Sequence, residues 1–559
     1  MDVTKYSVVD PRIVQHKAKY AVEKGALSIT NQVFSAIANS SSQQTFQVQV
    51  PSENVFVDRA IDWVNTACLE VTVVYSVVAS GAVLATPGVN FSLAPFPVTQ
   101  TVSTMTATIN DQTVTVNTSD VLPQILRLAD LAKTRMQRTC PTMLDKYYSV
   151  QNASNVPNSP IGAWGAAYDS TNVPCGAWGQ LSFYAITNVT MVSGLPTVTA
   201  SAGGTGAATC VFGVQFTTAE KLVLPPFIFS DEDELSTGLF GVQNIQFTAN
   251  FNVPTRAVRM TAVAPSGTYS ALPSVAWATT GPAGPLQTPF VKAALQVQFL
   301  TPSLDIPLPA KSICQWMEFP RYISPSGTLG TSALESLQSQ TITLPSIPDL
   351  LVIYVKPQSY TDCTQCDWSL PISQISLNFD NFSGLLANHS QYELYKMSVN
   401  NGLDMDFDEW SGSAWVNGSA AASKNGAGLT SLVGGPLVLR PGRDFALQTG
   451  QAPGLVGNFT LQYNMQVDNS AARTGASVSI YTITVNSGFF ETIKGSSRIL
   501  KGVVTEQDIL AAPIAAVEQS LDRMVGEGKH HHMSHGSTHH HMSHGSTHHK
   551  HGIHKYLRG

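Results

Sequence analysis

Histidine is the side chain best suited to acid–base or metal chemistry near neutral pH. Its placement here is lopsided: twelve of the fourteen His lie in the last thirty residues. The nonapeptide HHHMSHGST runs from His530 to Thr538 and again from His539 to Thr547. Clustered imidazoles chelate divalent metal, so His530, His531, His532, His539, His540 and His541 are the candidate metal ligands of the tail. The same tract gains positive charge as pH falls through about 6.5, and would then grip phosphate or anionic lipid. A His/Gly/Ser tract cannot bury a core, so the third reading is an inert tail that is disordered in isolation.

Outside the tail only His16 and His389 remain. His389 sits beside a helix start, where a structural role is expected. Cys363 and Cys366 form one CxxC, but no second pair at ribbon spacing completes a four-ligand zinc site. Asp231-Glu232-Asp233-Glu234 is a dense acidic run. It reads as a solvated turn or helix start, with Asp231 and Asp233 as the candidate calcium ligands. Asp404, Asp406 and Asp408 alternate with apolar residues, which suits the wet face of a strand; the sixth position of a calcium loop needs Gly and holds Glu409. There is no nucleophile elbow, phosphate loop or His-Glu-x-x-His. No catalytic or cofactor-binding residue is identified, and no cofactor is implied.

The elements that would carry any site are mostly strands. Ile375, Leu377 and Phe379 alternate with Ser376, Asn378 and Asp380. Ser390-Gln391-Tyr392-Glu393 then forms a capping box. Tyr392, Tyr395 and Val399 share one helical stripe, and Asn400-Asn401-Gly402 supplies the stop. The first half repeats the module. Strands are expected at 45–50, 69–78, 180–192, 211–216, 221–229, 243–251 and 294–300. Ser119-Asp120 is expected to cap a helix with the stripe Leu122, Ile125, Ala129, Ala132 and Met136. In the second half, strands are expected at 341–344, 350–355, 374–380 and 403–407. Phe459, Leu461, Tyr463, Met465 and Val467 begin what reads as a hairpin returning over 476–485. Long loops are expected at 140–180, 261–290 and 411–436.

Two successive β units of about 250 residues suit two jelly rolls or sandwiches in a chain of 559 residues. The organisation expected is an arm over 1–40 with an amphipathic helix from Ala21 to Ala38, and jelly rolls over 41–305 and 306–500. A terminal segment over 501–559 would carry a short helix, with the seam Leu510, Ile514, Val517, Leu521 and Met524, ahead of the His tract. Charged residues are 12% of the chain, against about 25% in ordinary domains. A surface of Ser, Thr, Asn and Gln suits extensive packing against neighbours. The net charge of −6 and the lack of a dense basic arm argue against neutralising a nucleic acid. No window reaches 18 apolar residues, and the opening residues carry no signal-type apolar run. Seven scattered cysteines (Cys68, Cys140, Cys175, Cys210, Cys314, Cys363, Cys366) read as free thiols.

Four stretches carry a resemblance: LVLPPFIFSDEDELSTGLFGVQNIQFTANF (222–251), IPDLLVIYVKP (347–357), FDNFSGLLANHSQYELYKMSVNNG (379–402) and LVLRPGRDFALQTGQAPGLVGNFTLQYNMQV (437–467). In layout and texture they resemble the double jelly-roll major capsid proteins of tailless DNA viruses, the lineage of adenovirus hexon, membrane-containing phages and polinton-like viruses. The His-rich repeat is not part of that resemblance. It implies an all-β fold of two tandem jelly-roll barrels with short helices and terminal extensions, and no catalytic residues. It also implies a homotrimer forming pseudo-hexagonal capsomers of an icosahedral virion, assembled inside the host cell. The implied partners are neighbouring capsomers, minor capsid or penton proteins and, through the termini, an internal membrane or the genome.

Two other readings compete. A carbohydrate-binding or carbohydrate-cleaving sandwich would expose aromatics in a cleft, for which Trp164, Trp178, Trp368, Trp410 and Trp415 are available. A single jelly-roll capsid protein with a protruding domain would carry a basic arm, which is missing.

Overall fold

The computed structural model describes residues 26–52, 54–75, 81–87, 90–128, 144–146, 181–199, 208–228, 238–252, 254–261, 269–302, 311–358, 363–417, 427–469 and 475–501. The fold is two jelly-roll sandwiches in tandem, each a pair of antiparallel sheets.

In the first sandwich, one sheet is built on β3 (Asp62–Tyr75), which pairs with β7 (Ala208–Lys221) on one side and β9 (Phe290–Pro302) on the other. The strand β6 (Leu181–Thr187) extends it beyond β7, and β1 (Ala26–Ser35) lies along the far side of β9. The facing sheet runs β2 (Gln43–Gln49), β8 (Asn244–Phe251), β4 (Val102–Ile109), β5 (Gln112–Val116). Phe46, Trp63, Phe247 and Phe290 are buried between the two layers, because period-2 alternation sends one side chain in two inward.

The second sandwich repeats the plan. The strand β19 (Ser477–Ile493) pairs with β10 (Ser312–Glu318), β11 (Arg321–Thr328), β14 (Leu350–Pro357) and β20 (Ser496–Leu500); β17 (Leu437–Leu439) adds to β14. Opposite it, β18 (Val456–Asp468) pairs with β12 (Leu334–Gln338), β13 (Ile342–Ser346) and β15 (Ile372–Phe379), and β15 with β16 (Phe382–Leu385). Three helices matter below: α1 (Thr118–Ile125), α2 (Gln391–Asn400) and α3 (Phe407–Ser411).

Several sequence expectations are corrected. The arm helix over Ala21 to Ala38 is not formed over 26–35: that stretch is β1, registered on β9 from Ser28 opposite Thr301 to Ser35 opposite Ala294. Its Ile29, Thr30 and Val33 favour extended backbone, and long-range pairing outweighs a helical period. The strand expected at 221–229 ends at Lys221, since Pro225 and Pro226 have no N–H to offer a ladder. The alternation at 403–407 is not a strand either. Asp406 accepts a hydrogen bond from the Glu409 N–H at 2.7 Å and caps α3, which Gly412 closes in the left-handed region.

The expected hairpin is no hairpin: β18 and β19 join opposite sheets and face each other across the core. On α2 the capping box is present, with the Ser390 N–H donating to Glu393 Oε2 at 2.8 Å. Its inward residues, however, are Leu394 and Ser398, while Tyr392 is 54% exposed. The expected loops at 261–290 and 411–436 contain short strands, such as Ser274–Trp277 and the hairpin of Ser413–Asn417 with Ala427–Ser431. Of 140–180, only 144–146 are described.

Candidate functional site

The densest chemistry lies where the two sandwiches meet. The strand β14 is buried along almost its whole length, Leu351 to Pro357. One face fills its own core; the other, with Tyr354 and Lys356, meets α1 of the first sandwich. The Tyr354 hydroxyl donates to the Asp120 carbonyl, and Lys356 Nζ lies 2.7 Å from Asp120 Oδ1. Arg321 of β11 also pairs with Asp120. Asp120 is thus an anchor for the other sandwich; the side-chain cap expected of Ser119-Asp120 is absent, and Asn117 takes the N-cap position.

Four further charges form a second cluster. Arg256 grips Asp367 through Nε at 3.1 Å and Nη2 at 2.7 Å, the two-pronged geometry that suits a carboxylate. Arg259 Nη2 reaches Asp145 at 2.8 Å and Asp367 at 3.7 Å. A third contact joins Arg127 Nη1 to Glu409 Oε1 at 2.6 Å. Gln124 Nε2 donates to Ser369 Oγ at 3.0 Å. Of these residues only Asp120, as a helix cap, and Glu409, as the residue that breaks a calcium loop, are named from the sequence. The legible signal was scarcity: in a chain so poor in charge, an ion buried among apolar residues needs a partner.

The electrostatics fit a structural junction. Burial raises the Asp367 carboxyl, but Arg256, Arg259 and Lys356 outweigh it and hold the group at about 2. Burial lowers the Lys356 ammonium to about 7, helped by Arg256 and Arg321 and opposed by Asp367. The Cys366 thiol is pushed well up by burial, with Asp145 adding to it. Cys363 and Cys366 are fully buried. A protonated, enclosed thiol is a poor nucleophile and metal ligand. Elsewhere, burial raises Glu220, although it accepts hydrogen bonds from the Val98 and Thr99 N–H groups at 2.9 Å.

Other sequence candidates fall elsewhere. Asp231 and Asp233, and His530, His531, His532, His539, His540 and His541, lie outside the described residues. Among the described residues no group of three His, Cys, Asp or Glu is placed to hold a metal. Trp368 and Trp410 are buried, the latter donating to the Pro436 carbonyl at 2.8 Å, so neither lines an open cleft. Trp164 and Trp178 lie outside the described residues, as does the side chain of Trp415. No helix among the described residues is long and apolar enough to cross a membrane.

A second feature is a surface. Strand β1 has the sequence ALSITNQVFS, with no charge and no Pro. Its edge away from β9 pairs with no described strand. Ile29 and Val33 are 62% and 60% exposed, and Ile37, just beyond, is exposed as well. Natural edge strands are guarded by Lys, Pro or bulges; this one, bulged only near Ala26, is built to be covered.

Comparison with known proteins agrees with this arrangement. Residues 1–300 match the family model described as Sputnik virophage major capsid protein 1st domain, and residues 319–488 match that of the major capsid protein V20 C-terminal domain. The putative capsid protein V20 of Sputnik virophage is 24% identical over 520 residues, covering 91% of this chain and 81% of that protein. In the cryo-EM structure of the Sputnik virophage, a chain superposes with a TM-score of 0.71 at 23% identity, covering 87% of this chain and 91% of that one. The mavirus major capsid protein gives 0.66 at 16% identity, covering 86% and 92%.

Proposed function

This chain belongs to the Sputnik virophage major capsid protein family, and we propose that three copies stand together as one pseudo-hexagonal capsomer of an icosahedral virion shell. It is a structural capsid protein that works in the virion by associating with copies of itself. The observation that carries the trimer reading is the pairing of two like sandwiches in one chain. Three such chains present six similar walls, which tile a hexagonal lattice. The buried ionic junction supports it by holding each pair of sandwiches as one block, so that the lattice angle is set within the chain.

Strand β1 is one surface through which copies meet, since its edge, unpaired among the described strands, and the exposed Ile29, Val33 and Ile37 gain most from being covered. No reaction is assigned to the protein. Further partners proposed through the chain termini are a membrane, a minor capsid or penton protein, or the genome. Light scattering on the purified chain tests the reading: a particle of three times the chain mass with a six-fold-like outline in negative stain is expected. A stable monomer at shell-forming concentration would refute it.

A further inference from the structure

On the outward face of the second sandwich, three adjacent strands present two rows of amides and hydroxyls. Ser336 of β12, Gln466 of β18 and Gln374 of β15 stand side by side; one step along, Gln338, Asn464 and Ser376 do the same. These six side chains and Ala387 line an open cavity of about 390 Å³.

Some outward polar side chains elsewhere pair with one another: Thr108 with Thr113 at 3.0 Å, Asn250 with Thr104 at 2.9 Å, Gln298 with Asn31 at 3.1 Å. The six make no side-chain hydrogen bond to a described residue. No charged residue lines the cavity.

We propose that this depression binds a neutral saccharide. Carboxamides offer two donors and an acceptor, and hydroxyls offer both roles, so the rows match a ligand that carries alternating hydroxyls. A charged ligand would lose hydration here with no opposite charge to offset it. The hollow is open along the sheet, so an extended ligand would lie across the two rows. No aromatic platform lines it, so each site is weak, and attachment would come from repetition over many copies. The inference goes beyond the capsid role and stands independently of it.

Saturation-transfer NMR on the full chain in its native oligomeric state tests it, with cellobiose, lactose and N,N′-diacetylchitobiose as probes and 3′-sialyllactose as the anionic control. At least one neutral disaccharide should bind saturably, and the added sialic acid should give no gain over lactose. The Q374A/Q466A variant should weaken binding about tenfold, the loss of two hydrogen bonds, with oligomeric state unchanged. Ala387→Tyr, a bulky change outside the three strands, should do the same. Three silent disaccharides would overturn the proposal, as would binding indifferent to both variants. A change of oligomeric state in Q374A/Q466A would also overturn it, by assigning the face to contact between copies.

Discussion

Arg127 and Glu409 meet at 2.6 Å across the junction, one from the residues after α1 and the other from α3, and both are buried. Removing one partner strands the other's charge in a dry site. Glu409→Ala should therefore destabilise the chain by about 3 kcal/mol or more. The R127M/E409L pair should recover most of that loss. Denaturant unfolding of the three variants measures it.

Acid should loosen the same junction through Asp367. Its carboxyl is held at about 2 when folded and titrates near 3.9 when unfolded. A depressed folded value means the contribution, about 2 kcal/mol, is fully present above pH ~4 and drains away as pH falls toward ~2. Melting followed from pH 5 to pH 2 should show this slope, and Asp367→Asn should flatten it while lowering stability at neutral pH.

The capping box of α2 is exposed, so its worth should be modest and local. Ser390→Ala should cost about 1 kcal/mol. Ser390→Asp should restore most of it at neutral pH, because a carboxylate also accepts from the Glu393 N–H in the first turn and meets the positive helix end. Urea unfolding separates the two.

Gly434 tolerates no side chain. Its φ is +74°, and a Cβ there would overlap the Ser369 carbonyl. That carbonyl is backbone, and Ser369 is tied to Val433 by an N–H···O bond of 2.6 Å, so it cannot step aside. Gly434→Ala should cost upward of about 2 kcal/mol. A melting temperature within a degree of the parent would contradict this.

The edge strand β1 should matter for assembly and little for folding. Ile29 and Val33 point outward, so the I29K/V33K variant should shift the chain's own stability by no more than about 0.5 kcal/mol. Sedimentation should show it losing trimer and shell. Retention of both would remove β1 from the contact surface.

The sequence by itself determined that the chain is built from wet-and-dry strands in two units, that a capped helix follows Phe379, and that all but two of its histidines lie in the last thirty residues. These are local properties: alternation, a four-residue box and composition are read without knowing what lies across the core. Tertiary structure decided which sheet each strand joins. The Phe459–Val467 run and its successor alternate as a hairpin would, yet the Tyr463 hydroxyl bonds the Thr482 hydroxyl from the opposite layer. Period-2 patterning says that a strand has an inward face and is silent on its neighbour. Likewise Asp120 reads as a helix cap until Lys356 and Arg321 arrive from the other sandwich. A buried charge takes its meaning from partners distant in the chain, because only a nearby opposite charge offsets the loss of water.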